Sequence, residues 1–125
     1  MGSLTRLLVF GVAVWGLPFV IGFMLFPLVD PATALFDTLM SVALAFAATL
    51  FANLHLREAP APGLDPGLLA GSVWMVMAIL LDIPFFISGP EEMRMPFADY
   101  MADIGFTYAM IPIIAGGIGH ALKRR

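Results

Sequence analysis

Four long apolar stretches, separated by three short polar interruptions, set the pattern of this chain. Residues 4–28, 32–56 and 67–88 each hold a single formally charged side chain, Arg6, Asp37 and Asp82 in turn, and residues 97–122 hold Asp99 and Asp103. An apolar run of about 20 residues is what an α-helix needs to cross about 30 Å of hydrocarbon, so each stretch predicts one membrane span. The interruptions carry helix-start signals. Asp30-Pro31 and Asp65-Pro66 each set a side-chain acceptor beside a proline that loses no hydrogen bond in a first turn, which predicts the starts of the second and third spans. Residues 57–64, with Pro60, Pro62 and Gly63, read as an extended linker, and residues 89–96 (GPEEMRMP) as a charged loop.

Within the spans, small and polar residues fall into stripes at helical spacing. Gly11, Trp15, Pro18 and Gly22 share a face of the first span, and Asp37, Ser41, Ala45, Ala48, Ala52 and His55 share one of the second, opposite Leu39, Phe46 and Leu50. Gly71, Met75, Ala78 and Asp82 align on the third, and Asp99, Asp103 and Thr107 on the fourth. These stripes predict the faces that meet protein, because small residues allow close helix approach and polar ones cost least away from lipid. The fold expected is an all-α integral membrane protein, a four-helix transmembrane bundle forming one domain.

Composition strengthens this reading. With 61% hydrophobic residues, 12% charged residues and a mean hydropathy of +0.97, the 125-residue chain cannot clothe itself for water. The first span is too long for a signal-peptide core and no small-residue cleavage site follows it, so it is expected to stay in the mature protein. Without cysteine there are no disulfides, thiolate metal ligands or thiol nucleophiles. Arg6, Arg57, Lys123, Arg124 and Arg125 fall on one side of a four-span topology and Arg94 alone on the other, so the positive-inside rule puts both termini in the cytoplasm. Asp30, Asp37, Glu91, Glu92, Asp99 and Asp103 then lie toward the outer side, with Asp82 reaching inward from it. Such acids either form a cation-concentrating vestibule or follow translocated loops and cap helices.

Candidate chemistry centres on Asp82, because a carboxylate inside a span is costly unless paired, solvated or protonated. Pro84 frees a carbonyl one turn earlier, near the same depth. The sharp reading makes Asp82 a proton- or ion-handling group with Asp103, Thr107 and Tyr108 as partners and Asp37 on the same side. The bland one gives it a single interhelical hydrogen bond, worth about 0.6 kcal/mol in membranes. Pro18, Pro84 and Pro112 are candidate packing or hinge positions. No His-x-x-His, Glu-x-x-His, Gly-x-Ser-x-Gly, phosphate-loop or dinucleotide pattern occurs, so no metal ligands, catalytic residues or cofactor are assigned, and the three terminal cations anchor a helix rather than bind nucleic acid. Trp15 and Trp74 lie well inside their spans. Their indole N–H groups require partners, for which a carbonyl freed by proline would serve.

A shift of 66 positions lays Leu17-Pro18-Phe19-Val20-Ile21 on Ile83-Pro84-Phe85-Phe86-Ile87, Asp37 on Asp103, and Arg57 on Lys123. This outlines a tandem two-span repeat whose halves would be related by an axis along the membrane normal. Asp82 aligns with Gly16, so the deepest acid would belong to one half alone.

At Trp15-Gly16-Leu17-Pro18-Phe19, at Gly71-Ser72-Val73-Trp74 with Asp82, and through Asp99-Tyr100, Ile104-Gly105-Phe106-Thr107-Tyr108 and Ile111-Pro112, the chain resembles a group of small four-span membrane proteins of bacteria and archaea. The resemblance implies a prokaryotic inner-membrane protein and carries over no catalytic residue. The function expected is a non-enzymatic transport or channel-like activity, proton- or cation-linked through Asp82. Its rival is an accessory subunit packed on a larger membrane complex. The partners expected are the lipid bilayer and either a second copy or another membrane protein.

Overall fold

The computed structural model describes residues 3–30, 33–58, 61, 63–87, 91 and 96–123. All regular structure among them is helical: α1 (Ser3–Leu25), α2 (Ala34–Arg57), α3 (Leu64–Asp82) continued by a π-helical segment (Ile83–Ile87), α4 (Phe97–Asp103), a 3-10 segment (Gly105–Ala109) and α5 (Met110–Lys123). Among the described residues, three helices are long and apolar enough to cross a membrane, Leu4–Leu25, Ala34–Arg57 and Leu64–Phe85. This makes the chain a helical membrane protein. The fourth stretch departs from the single helix predicted over 97–122. Gly105 interrupts it, and Pro112 cannot donate to the Tyr108 carbonyl one turn back, so a 3-10 turn separates α4 from α5.

The predicted helix starts also move. Thr33, not Asp30, caps α2: in extended conformation its hydroxyl accepts from the Phe36 amide at 3.3 Å and donates to the Asp30 carbonyl at 2.6 Å. Asp65 lies inside the first turn of α3, whose cap is Gly63. Asp37 is exposed in the first turn of α2, where an acid suits the helix dipole. Pro31, Pro60, Pro62, Glu92, Arg94, Arg124 and Arg125 lie outside the described residues, as does most of the charged loop.

Neighbour contacts define the bundle. Arg6 meets His55, Phe10 meets Phe51, and Gly22 meets Met40, so α1 and α2 are antiparallel. Leu7 meets Trp74 and Trp15 meets Asp82, so α1 and α3 run parallel. Along α3 and α5, Gly63 faces Gly119, Gly67 faces Ala115, and Gly71 faces Pro112. A Cβ on Gly67 or Gly71 would overlap backbone of α5, so glycine here is a condition of the approach. The core runs through Val14, Leu44, Ala48, Ala52, Leu56, Ala70, Trp74, Ala78 and Ile111. The stripe predicted on α2 is buried over Ala48, Ala52 and His55, half-buried at Ser41 and Ala45, and exposed at Asp37.

Around the bundle α1 neighbours α2 and α3, and α5 neighbours α3 and α2. A two-fold along the membrane normal would set the matched pairs α1/α3 and α2/α5 on the diagonals, yet both pairs are neighbours. The axis inferred from the 66-residue shift is therefore corrected: the two hairpins lie side by side, displaced laterally. The packing register of α1 on α3, 67 positions between Leu7 and Trp74 and again between Trp15 and Asp82, nearly equals that sequence shift.

Candidate functional site

Asp82 ends the regular part of α3 and is 1% exposed. Pro84 removes the amide that would bond the Leu80 carbonyl, and the backbone answers by widening into the π turn of Ile83–Ile87. Irregular backbone thus follows directly on the buried acid. A second irregular segment, Gly105–Ala109, carries Tyr108 to the same place, while Tyr100 arrives from α4 and Trp15 from the middle of α1. Three elements, α1, α4 and the 3-10 segment, thus converge on one carboxyl group carried by α3.

The geometry is that of a donor cage. Trp15 Nε1 donates to Asp82 Oδ1 at 2.7 Å, and the hydroxyls of Tyr100 and Tyr108 donate to Oδ2 at 2.7 and 2.5 Å. Tyr100 is fully buried, Tyr108 nearly so, and Trp15 half-buried. Among the described residues no buried side-chain nitrogen or oxygen lacks a partner. The two carboxylate oxygens are not equivalent. Oδ1 faces an indole N–H, which can only donate; Oδ2 faces two phenols, each able to donate or accept. Of the two oxygens, only Oδ2 could carry a proton that a partner accepts: one phenol would take it on its oxygen and turn its own hydrogen off the acid.

An aromatic layer lies beside the cage. Trp15 stacks on Phe19 at 4.6 Å between centroids, and Phe85 packs on both, at 5.9 Å from Trp15 and 4.8 Å from Phe19. Below, toward the other end of the bundle, the second tryptophan makes a different bond. Trp74 Nε1 donates to the Leu7 carbonyl at 2.8 Å, and bare Gly11 opens the path, since a Cβ there would meet Trp74 Cδ1 at 2.9 Å. Neither indole uses a proline-freed carbonyl, the partner expected from sequence. At that lower end Arg6 pairs with Glu58 at 3.1 Å and donates to His55 Nδ1 at 3.4 Å, and His55 stands edge-on to Trp74.

No family model, curated protein or solved structure matches the chain. The site is therefore read from its own geometry.

Of the residues proposed from sequence, the structure brings Asp82 and Tyr108 into direct contact. Thr107 is half-buried and is not a partner of Asp82, because its neighbour in the 3-10 turn takes that direction. Asp37 is exposed in the first turn of α2, and the side chain of Asp103 lies outside the described set. Pro84 marks the π segment and is itself exposed. Pro18 is buried inside an α1 that stays helical through it, and Pro112 abuts Gly71. Trp15 and Tyr100 were missed as ligands of the acid. A signal for them existed: the chain has two tryptophans and two tyrosines, few side-chain donors are available inside its apolar stretches, and three of these four serve Asp82.

Proposed function

We propose that this protein is a small four-span carrier of a bacterial or archaeal inner membrane, with both termini cytoplasmic, in which Asp82 takes up and releases a proton as part of transport. α4, the 3-10 segment and α5 together make the fourth crossing; at about 1.5 Å per α-helical and about 2 Å per 3-10 residue they exceed the roughly 30 Å required. One observation carries the reading: a buried carboxyl group in the last turn of a candidate span is held by two amphoteric phenols where two stretches lose regular α-helical geometry. Discontinuous helices at this depth are a recurring way to build a coupling site.

The cage favours a proton over a metal cation. A cation needs oxygen lone pairs converging on it, whereas here both carboxylate oxygens are already engaged by N–H and O–H donors. A proton needs only a turn of one phenol. The transported substrate travels with or against that proton.

The test is reconstitution into proteoliposomes with an interior pH dye and an imposed pH gradient. Asp82→Asn keeps the shape and removes the titrating group, so proton-coupled flux is expected to collapse while the helical signal and monodispersity persist. If Asp82→Asn retains full flux and loses only thermal stability, the cage is a packing device. The accessory-subunit reading then replaces the carrier.

A further inference from the structure

The outward face of α2 is apolar except along one line. Leu35, Val42, Phe46, Leu50 and Leu54 are exposed, as lipid-facing residues of a span should be. Among them run Thr49, Asn53 and Arg57, one helical turn apart. Phe46, Thr49, Leu50, Asn53, Leu54 and Arg57 together line a shallow groove of about 400 Å³, and at 100° per residue they fill a sector of about 140°, with Phe46 and Arg57 nearest its middle and Asn53 about 30° to one side. Arg57 ends α2 and reaches the headgroup level, which is ordinary. Asn53, one turn deeper, is not. Its carboxamide makes no hydrogen bond to any described residue, although it has two N–H donors and a carbonyl acceptor to satisfy in hydrocarbon.

We propose that this face is the interface with a second copy of the chain, packed by parallel two-fold contact of α2 on α2 with the Asn53 carboxamides paired across the axis. Three observations select that occupant. First, an asparagine within a helix face is self-complementary: each amide donates to the carbonyl of its symmetry mate, so a closed isologous contact satisfies donor and acceptor together. One turn below the headgroups the ester carbonyls of a phospholipid offer acceptors only, its ammonium or hydroxyl donors lying further out, so they would leave the Asn53 carbonyl unpaired. Second, Thr49 repeats the arrangement one turn further in, again with a group that both donates and accepts. Third, the flanking Phe46, Leu50 and Leu54 recur at i, i+4 and i+8, a ridge that a facing helix can pack against. Arg57 lies past the end of the apolar contact, where its long side chain turns away from its mate into the headgroups. The interface is remote from the aromatic layer over Asp82, so it stands or falls apart from proton handling.

The chain contains no cysteine, which makes the test clean. Thr49→Cys and Phe46→Cys each introduce one thiol on the proposed face, and Val76→Cys and Leu80→Cys place one on the exposed face of α3. In native membranes a short bis-maleimide is expected to convert the first pair to covalent dimers at least fivefold more than the second. Asn53→Leu in the Thr49→Cys background should reduce that yield to the control level, and Asn53→Gln should keep much of it. Asn53→Leu makes a half-buried position at the edge of the bundle more apolar, and unchanged helical circular dichroism verifies that the fold survives. Single-molecule photobleaching in dilute vesicles should count two copies for the wild type and one for Asn53→Leu. Equal cross-linking on both faces, or unchanged copy number in Asn53→Leu, overturns the proposal. A monomeric wild type that loses a co-purifying phospholipid on Asn53→Leu also overturns it, in favour of a lipid site.

Discussion

The two ends of α3 are held to their neighbours by opposite means. In its first half Gly67 and Gly71 carry no side chain, and the backbone of α5 closes on them directly at Ala115 and Pro112. In its last turn a carboxyl side chain does the joining, as Asp82 gathers α1, α4 and the 3-10 segment through three hydrogen bonds. The first kind of contact keeps every backbone bond inside its own helix and draws on dispersion between closely packed atoms. The second is found where prolines and a glycine have broken regular backbone geometry, and it supplies polar partners that cross between elements. The close-packed end has one arrangement. The polar end can hold its protons in more than one way, because each phenol can donate to the acid or accept from it.

That contrast can be broken at either end. The largest effect is expected from Gly71→Ala, whose Cβ would overlap the Pro112 backbone with no flexible side chain to yield. About 3 kcal/mol of stability should be lost, read as a fall in the SDS or thermal unfolding midpoint, and a neutral result would show that α3 and α5 slide freely. Next comes Asp82→Leu, which removes the acceptor of three hydrogen bonds, those from Trp15, Tyr100 and Tyr108, and should cost about 2 kcal/mol in the same assay. Tyr108→Phe removes one donor and keeps the ring, so a loss of about 1 kcal/mol is expected. Comparing it with Tyr100→Phe and the double variant sharpens the picture: both phenols serve the same oxygen, so the pair should be non-additive. Smallest is the surface pair at the lower end. Arg6 is 19% exposed and Glu58 66%, so the coupling from a double-mutant cycle should be about 0.5 kcal/mol and fade with added salt.

The carboxyl group of Glu58 is a useful foil for that of Asp82. Both tie α1 to a neighbouring helix. Near the headgroups a flexible cation suffices because water screens and solvates both partners, whereas at depth the partners are neutral dipoles on rigid rings. Neutral donors satisfy the acid without bringing a second charge into hydrocarbon, which would itself need solvation.

The sequence alone determined that the chain is built of helices apolar enough to cross a bilayer, where the first three run to within a few residues, that the stripe of α1 and the Ala48, Ala52 and His55 part of that on α2 turn inward, and that Asp82 is the residue to explain. These follow from composition and period, which every residue reports locally. Tertiary structure decided the rest. The fourth stretch reads as continuous in hydropathy, but a 3-10 turn divides it, because Gly105 and Pro112 act on backbone bonds that hydropathy does not register. Tyr108 was legible because it adjoins Thr107 on the polar face of the last stretch. Tyr100, nearer to the acid in sequence at 18 positions against 26, and Trp15, at 67, were not, because only the course of α4 and the register of α1 on α3 bring them to it. The 66-position echo was visible as a pattern, yet its spatial meaning depended on which helices became neighbours. That choice is made by close packing between surfaces, a property of pairs of helices that no single stretch of sequence carries.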